Sequence, residues 1–332
     1  MEVYHFLRSC MLLSSGRIQE AIESLDMVLT VYKDYGGVLN APSTYITKVS
    51  ILFLNGEFEE HRDNLLSIYQ VSTDHSDEAN MLGSSCCMIQ SLILGAPEYP
   101  EGATDVNNWI KSLQEIYDTW PDAKTSPFHL INITSTFLLC HSYISSTKTQ
   151  DYEANFSKGL EMFAKRIESH NGFSVAISIF VYLIAQHRFY EIRDPDDWNK
   201  SEALRKIQQV QKILKKLCKL WSFVKPIIHF ADGLSYLFRE KGKQAEESWR
   251  KGVQSICEIS DDLEFIKAVL QVRILRYSTR RSKDLQSMKT KTAEFLEDVG
   301  ARAELAFLNN ETFTLQQCIN SDLDIDFSLT DK

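Results

Sequence analysis

The sequence predicts an all-α protein, built as antiparallel helix pairs stacked into an α-α superhelix. Three observations carry that prediction. Only 13 Gly and 7 Pro occur in 332 residues, and they mostly stand between apolar-periodic runs, which argues against the dense turns of a sandwich or barrel. The runs repeat apolar residues at the i, i+3, i+4 spacing of an amphipathic helix. They also come two by two across short breaks, at a spacing that drifts upward from about 34 residues. With 44% hydrophobic and 24% charged residues, the chain can bury a core.

The first unit reads as a helix over about 2–14, a break at Ser14-Ser15-Gly16, and a helix over about 17–34. Ile18, Ala21, Ile22, Leu25, Val28, Leu29 and Tyr32 form the apolar stripe of that second helix. The next unit runs from Tyr45 to Leu54, turns at Asn55-Gly56, and continues from Glu57-Phe58 to Tyr69. A third long helix covers Ser76 to Leu94 and stops at Gly95-Ala96-Pro97. Residues 103–119 form another, stopped by Trp120-Pro121, and Asp122 to Ser126 reads as a loop. Helices follow near 128–146, 151–169 and 173–191. Phe173 to Tyr190 is apolar on nearly all sides, as expected of a central, sandwiched helix. The charged turn Arg193-Asp194-Pro195-Asp196-Asp197 is the clearest boundary. Beyond it, helices are expected near 199–222, 227–240, 243–258, 262–279 and 284–308. The expected organisation is one helical half over 1–195, a second over 196–310, and an acidic tail over 311–332.

One stretch carries more than rhythm. Gly233, Tyr236, Ala245, Trp249 and Gly252 alternate small and large residues, as two closely approaching antiparallel helices require. These residues resemble the tetratricopeptide (TPR) repeat. Gly16-Arg17-Ile18-Gln19-Glu20-Ala21-Ile22, followed by Leu25 and Val28, resembles the turn and second helix of the same repeat. In the second unit His61 stands where that repeat has Ala. The resemblance implies a scaffold that presents a groove to a peptide or protein partner. A second resemblance rests on Lys225-Pro226, Gly233, Tyr236, Gly242-Lys243-Gln244-Ala245, Trp249 and a Gly300-Ala301 helix ending. These are similar to the C-terminal helical region of soluble-type (type 10) adenylate cyclases and imply a regulatory helical region. The cyclase and ATPase signatures themselves are absent from the sequence, so activity is not carried over.

Charge is unevenly distributed beneath the net of −9. Residues 1–100 hold 13 acidic and 5 basic groups, 201–295 hold 11 and 20, and 296–332 hold 8 and 2. Overall acidity argues against nucleic acid as the partner. Seven scattered cysteines, including the neighbours Cys86 and Cys87, read as small buried hydrophobes in a reducing compartment. No secretory signal or transmembrane run is visible, so a cytoplasmic protein is expected.

Chemical signatures are sparse. The sequence lacks phosphate-loop, dinucleotide, zincin, C-x-x-C and G-x-S-x-G motifs. Ser145–Lys148 and Ser222–Lys225 fit S-x-x-K, a pattern too permissive to weigh. Asp322, Asp324 and Asp326 echo a calcium loop without its Gly or closing Glu. No cofactor, metal or catalytic residue is therefore expected. An enzyme would need a buried constellation from distant helices, such as His141 with Glu161 or His187 with Glu191. Partner-binding candidates are the basic residues Arg239, Lys243, Arg250, Arg273, Arg276, Arg280 and Arg281. The last four, with Lys283, Lys289 and Lys291, either form a cationic groove for an acidic peptide or phosphate group or, the favoured reading, neutralise acidic segments of the same chain. The segment 205–225 carries Ile207, Val210, Leu214, Leu217, Trp221 and Val224 on one stripe and lysines on its other faces. A basic amphipathic helix of that kind can dock calmodulin or an anionic membrane surface, but neighbouring helices want the same stripe, and a repeat helix that buries it and solvates its lysines is the favoured reading.

Overall fold

The computed structural model describes residues 2–35, 41–74, 76–95, 106–144, 150–165, 169–192, 199–260, 262–278 and 282–311. The boundary turn Arg193–Asp197, the Ser145–Lys148 match, Cys318 and the acidic segment beyond Glu311 lie outside them. Among the described residues the chain is all-α, with sixteen helices and no strand. They are α1 (Glu2–Ser14), α2 (Ile18–Tyr35), α3 (Ala41–Asn55), α4 (Phe58–Asp74), α5 (Glu78–Leu94), α6 (Val106–Thr119), α7 (Asp122–Thr125), α8 (Pro127–Ile144), α9 (Gln150–Lys165), α10 (Ser169–Ile192), α11 (Lys200–Leu217), α12 (Val224–Leu237), α13 (Gly242–Ile259), α14 (Glu264–Tyr277), α15 (Lys283–Asp298) and α16 (Arg302–Asn309).

The breaks follow from backbone chemistry. At Gly16 the chain turns left-handed with φ of 78°; Gly16 N–H donates to the Leu13 carbonyl and Arg17 N–H to that of Leu12. Gly56, with φ of 88°, repeats the arrangement through Phe53 and Leu52. This is the Schellman end, which satisfies carbonyls that the last helical turn leaves open. The same motif corrects the expected single helix over 284–308. Gly300 N–H donates to Glu297 and Ala301 N–H to Leu296, so the chain stops α15 and restarts as α16. The expected 199–222 helix likewise ends at Leu217, and residues 218–223 form turns before α12 begins. The expected loop at 122–126 contains the single turn α7.

Packing joins consecutive helices and then closes the chain upon itself. The pair α12–α13 is antiparallel, with Gly233 facing Trp249, and Gly252 facing Leu270 and His229. A methyl on Gly233 would overlap the Trp249 indole, whose Nε1 donates to the Phe230 carbonyl at 3.4 Å. Ala245 and Trp249 are fully buried. Helix α10 lies at the centre against α3, α8, α11 and α12. Its stretch Gly172–Ile192 is long and apolar enough to cross a membrane by length and composition, and nearly all of it is buried here. Far along the chain, α14 packs on α3 and α16 on α5. Phe265 of α14 meets Phe53 and Phe58 edge-on, with ring centroids 5.6 and 5.0 Å apart, so the first and last thirds share one core.

Candidate functional site

The expected basic residues separate into buried and exposed groups. Arg273 is fully buried on α14, among Val269, Leu270, Val272 and Ile274. Its guanidinium grips Glu304 of α16 with both Nη atoms, Nη2 to Oε1 at 3.1 Å, and lies over the Phe230 and Phe307 rings. Arg273 is therefore an internal ion pair and not part of a docking ridge. Arg273 stands between Val272 and Ile274 on a helix that also carries Lys267 and Arg276; the partner Glu304 gave no signal of its own. Arg276, one turn on, sits over the Phe307 ring at 4.9 Å and donates to Glu191 of α10 at 3.3 Å.

Glu191 leads inward along a buried chain of polar groups. Tyr277 O–H donates to Glu191, and the Tyr277 oxygen lies 2.9 Å from His187 Nε2. Because the phenol proton is committed to the carboxylate, His187 donates from Nε2 and its Nδ1 is bare. That Nδ1 is buried without a hydrogen-bond partner among the described residues. Burial, followed by the nearby charges of Arg273, Arg188 and Arg276, holds the imidazole well below its ordinary pKa. Burial and Glu191 hold the Tyr277 phenol far above its own. His187 thus reaches Glu191 only through Tyr277. The other considered pair does not assemble in the same way: His141 is buried against Tyr152 with ring centroids 5.2 Å apart, while Glu161 is exposed.

Arg276 also borders a half-open cavity of roughly 380 Å³ between the end of α14, the start of α15 and the end of α16. Leu275, Leu285 and Leu308 supply its apolar lining, and Ser278, Ser282, Gln286, Lys289 and Asn310 its polar lining. Among the described residues no acidic side chain lines it. Ser282 caps α15 by accepting the Leu285 N–H, leaving the positive end of that helix dipole at the rim. His187, Tyr277 and Glu191 are not part of this lining.

Several other cations gather at the same end of the molecule. Ser278 Oγ donates to Glu246 near the start of α13, at 3.3 Å, which ties that end of α13 to the cavity side of α14. Arg239 and Lys243 are exposed there, flanking the turn into α13. Arg250 is exposed and bonded to Glu246 at 2.7 Å. Arg280 and Arg281 lie outside the described residues. Among the described residues no cluster of three or more metal-ligating side chains occurs, and Cys86 and Cys87 are free thiols.

In the segment 205–225 the apolar stripe is packed inside, as for a helix that serves its neighbours. Ile207, Val210, Leu214, Leu217, Trp221 and Val224 are all buried, so a partner helix has no apolar stripe to bind without unpacking this one. Lys206 is buried as well, paired to Glu153 and, at 3.5 Å, to Glu202. The other lysines of the segment remain on the surface. No family profile and no curated protein matches the chain.

Proposed function

We propose that the chain is a non-catalytic, TPR-like helical-repeat scaffold that holds an acidic, aliphatic-containing peptide of a protein partner in the α14–α15–α16 cavity. The observation that carries this reading is the lining itself: Arg276 and Lys289 above three leucines, with no carboxylate among the described lining residues. A carboxylate side chain gains from two cations at a low-dielectric rim, and an adjacent aliphatic residue covers the leucines. Arg239 and Lys243 extend the positive surface at the same end and favour encounter with an acidic partner, while Arg250 is paired with Glu246. The small-to-large packing of Gly233, Ala245, Trp249 and Gly252 supports the repeat assignment, since all four serve helix approach.

A fluorescein-labelled hexapeptide alternating Glu and Leu, titrated against the full chain by fluorescence anisotropy, tests the reading. Saturable binding that weakens about tenfold in Lys289→Glu supports it. Lys289 is exposed and holds no ion pair, so the variant should retain the fold. Absence of binding, or binding indifferent to Lys289→Glu, rejects the cavity as the site.

A further inference from the structure

We propose that the end of the molecule where α9 and α11 terminate docks onto an anionic phospholipid bilayer. Lys212, Lys215 and Lys216 lie on α11 opposite the stripe that it buries, and Lys219 follows in the turn just past its end. All four are exposed, and no carboxylate lies within ion-pair distance of any of them among the described residues.

Helix α9 runs parallel to α11 beside this patch. Lys206 pairs with Glu153, and Gln209 Nε2 donates to the Ser157 carbonyl at 3.3 Å, so both helices finish at the same end. That register adds the exposed Lys158 and Lys165, against Glu161 as the exposed carboxylate of the same stretch. Lys225, just beyond the turn, is already neutralised by Glu258 at 3.0 Å. Cations near two helix C-termini complement the dipoles, yet one or two would serve that purpose. Leu220 projects from the turn that follows α11, 40% exposed, directly between Lys219 and the buried Trp221.

An apolar tip set among unpaired lysines suits a lipid headgroup layer, where lysines face phosphates and the leucine reaches the acyl boundary. The six cations are all lysines, hydrated point charges without the forked geometry that arginine brings to a peptide carboxylate. None of them lines the cavity of the peptide reading. The two surfaces lie at opposite ends of α12, whose 14 residues separate them by roughly 20 Å. The membrane assignment therefore stands independently of that reading.

Co-sedimentation of the full chain with phosphatidylcholine vesicles, and with 7:3 phosphatidylcholine–phosphatidylserine vesicles, tests the proposal. Binding is expected only to the anionic vesicles and is expected to fall when salt is raised from about 0.1 to 0.5 M. Each surface lysine is worth roughly a factor of five, so Lys215→Glu/Lys216→Glu/Lys219→Glu should lower binding more than about a hundredfold. An unchanged thermal midpoint shows that the variant remains folded. Equal binding to both vesicles, no binding to either, or full binding by the triple variant overturns the proposal. Capture of poly-glutamate without capture of anionic vesicles also overturns it, in favour of an acidic protein.

Discussion

Arg273 and Glu304 are each about as buried as a core leucine, and the physics of such a pair is asymmetric. Removing one partner leaves an uncompensated charge inside the protein and should cost about 3–5 kcal/mol, whereas replacing both with apolar residues can be neutral. Arg273→Met and Glu304→Leu are therefore each expected to lower the urea midpoint strongly, and the double variant to recover most of the loss. A double variant as unstable as the sum of the singles would show that the two sites act separately. Half of this pair was legible in the sequence. Arg273 lies within Val269–Ile274 and shares their buried surroundings, so counting it as ridge charge ignored its place on the helix. Glu304 sits in the short segment Ala303–Leu308, and no local pattern indicates which cation meets it. Arg276, one further turn along, reaches the cavity rim.

Helix ends were legible where glycine marked them and obscure where other residues adopt the same conformation. Gly16 and Gly56 stood out as breaks. Ser76 and Glu240 make equivalent left-handed ends with φ of 53° and 61° and the same pair of backbone hydrogen bonds. A residue with a Cβ pays for that conformation while glycine does not. Ser76→Gly should stabilise the protein by about 1 kcal/mol, net of glycine's unfolded-state entropy. Gly233→Ala should do the reverse, by about 1–3 kcal/mol, because its methyl enters the Trp249 indole. Thermal midpoints of the two variants should therefore move in opposite directions. A Ser76→Gly protein that melts earlier than the parent would deny strain at that helix end. The split of α15 from α16 was missed although Gly300 was visible, because the apolar rhythm continues across it. The end of α11 was missed for the same reason, with Trp221 and Val224 extending a stripe after the helix has stopped.

Taken as a whole, the molecule stores neutral histidines in separate parts of one core. Burial lowers His61 on α4 to a pKa of about 4, its Nδ1 lying 2.6 Å from the Val49 carbonyl. Burial also lowers His129 on α8 to about 4, and His187 on α10 shifts in the same direction. Unfolded histidine titrates near 6.5, so above that pH neither state takes up the proton. As pH falls from 6.5 toward 4, the unfolded chain binds protons that the folded one refuses, and stability declines by up to about 3 kcal/mol per histidine. Urea midpoints should thus fall steadily across that window, with a shallower slope in His61→Asn; a flat profile would mean that these rings take up protons in the fold as they do in the unfolded chain. The all-α class was legible from periodicity alone, but the packing of α14 on α3 was not, since it depends on faces more than two hundred residues apart. That closure also sets a clock during synthesis. Ribosomes add roughly 5–20 residues per second, so Phe53 and Phe58 emerge roughly 10–40 s before Phe265 exists to cover them. For that interval the nascent chain carries two uncovered aromatic rings, and a chaperone that binds it then would be doing the work later taken over by α14.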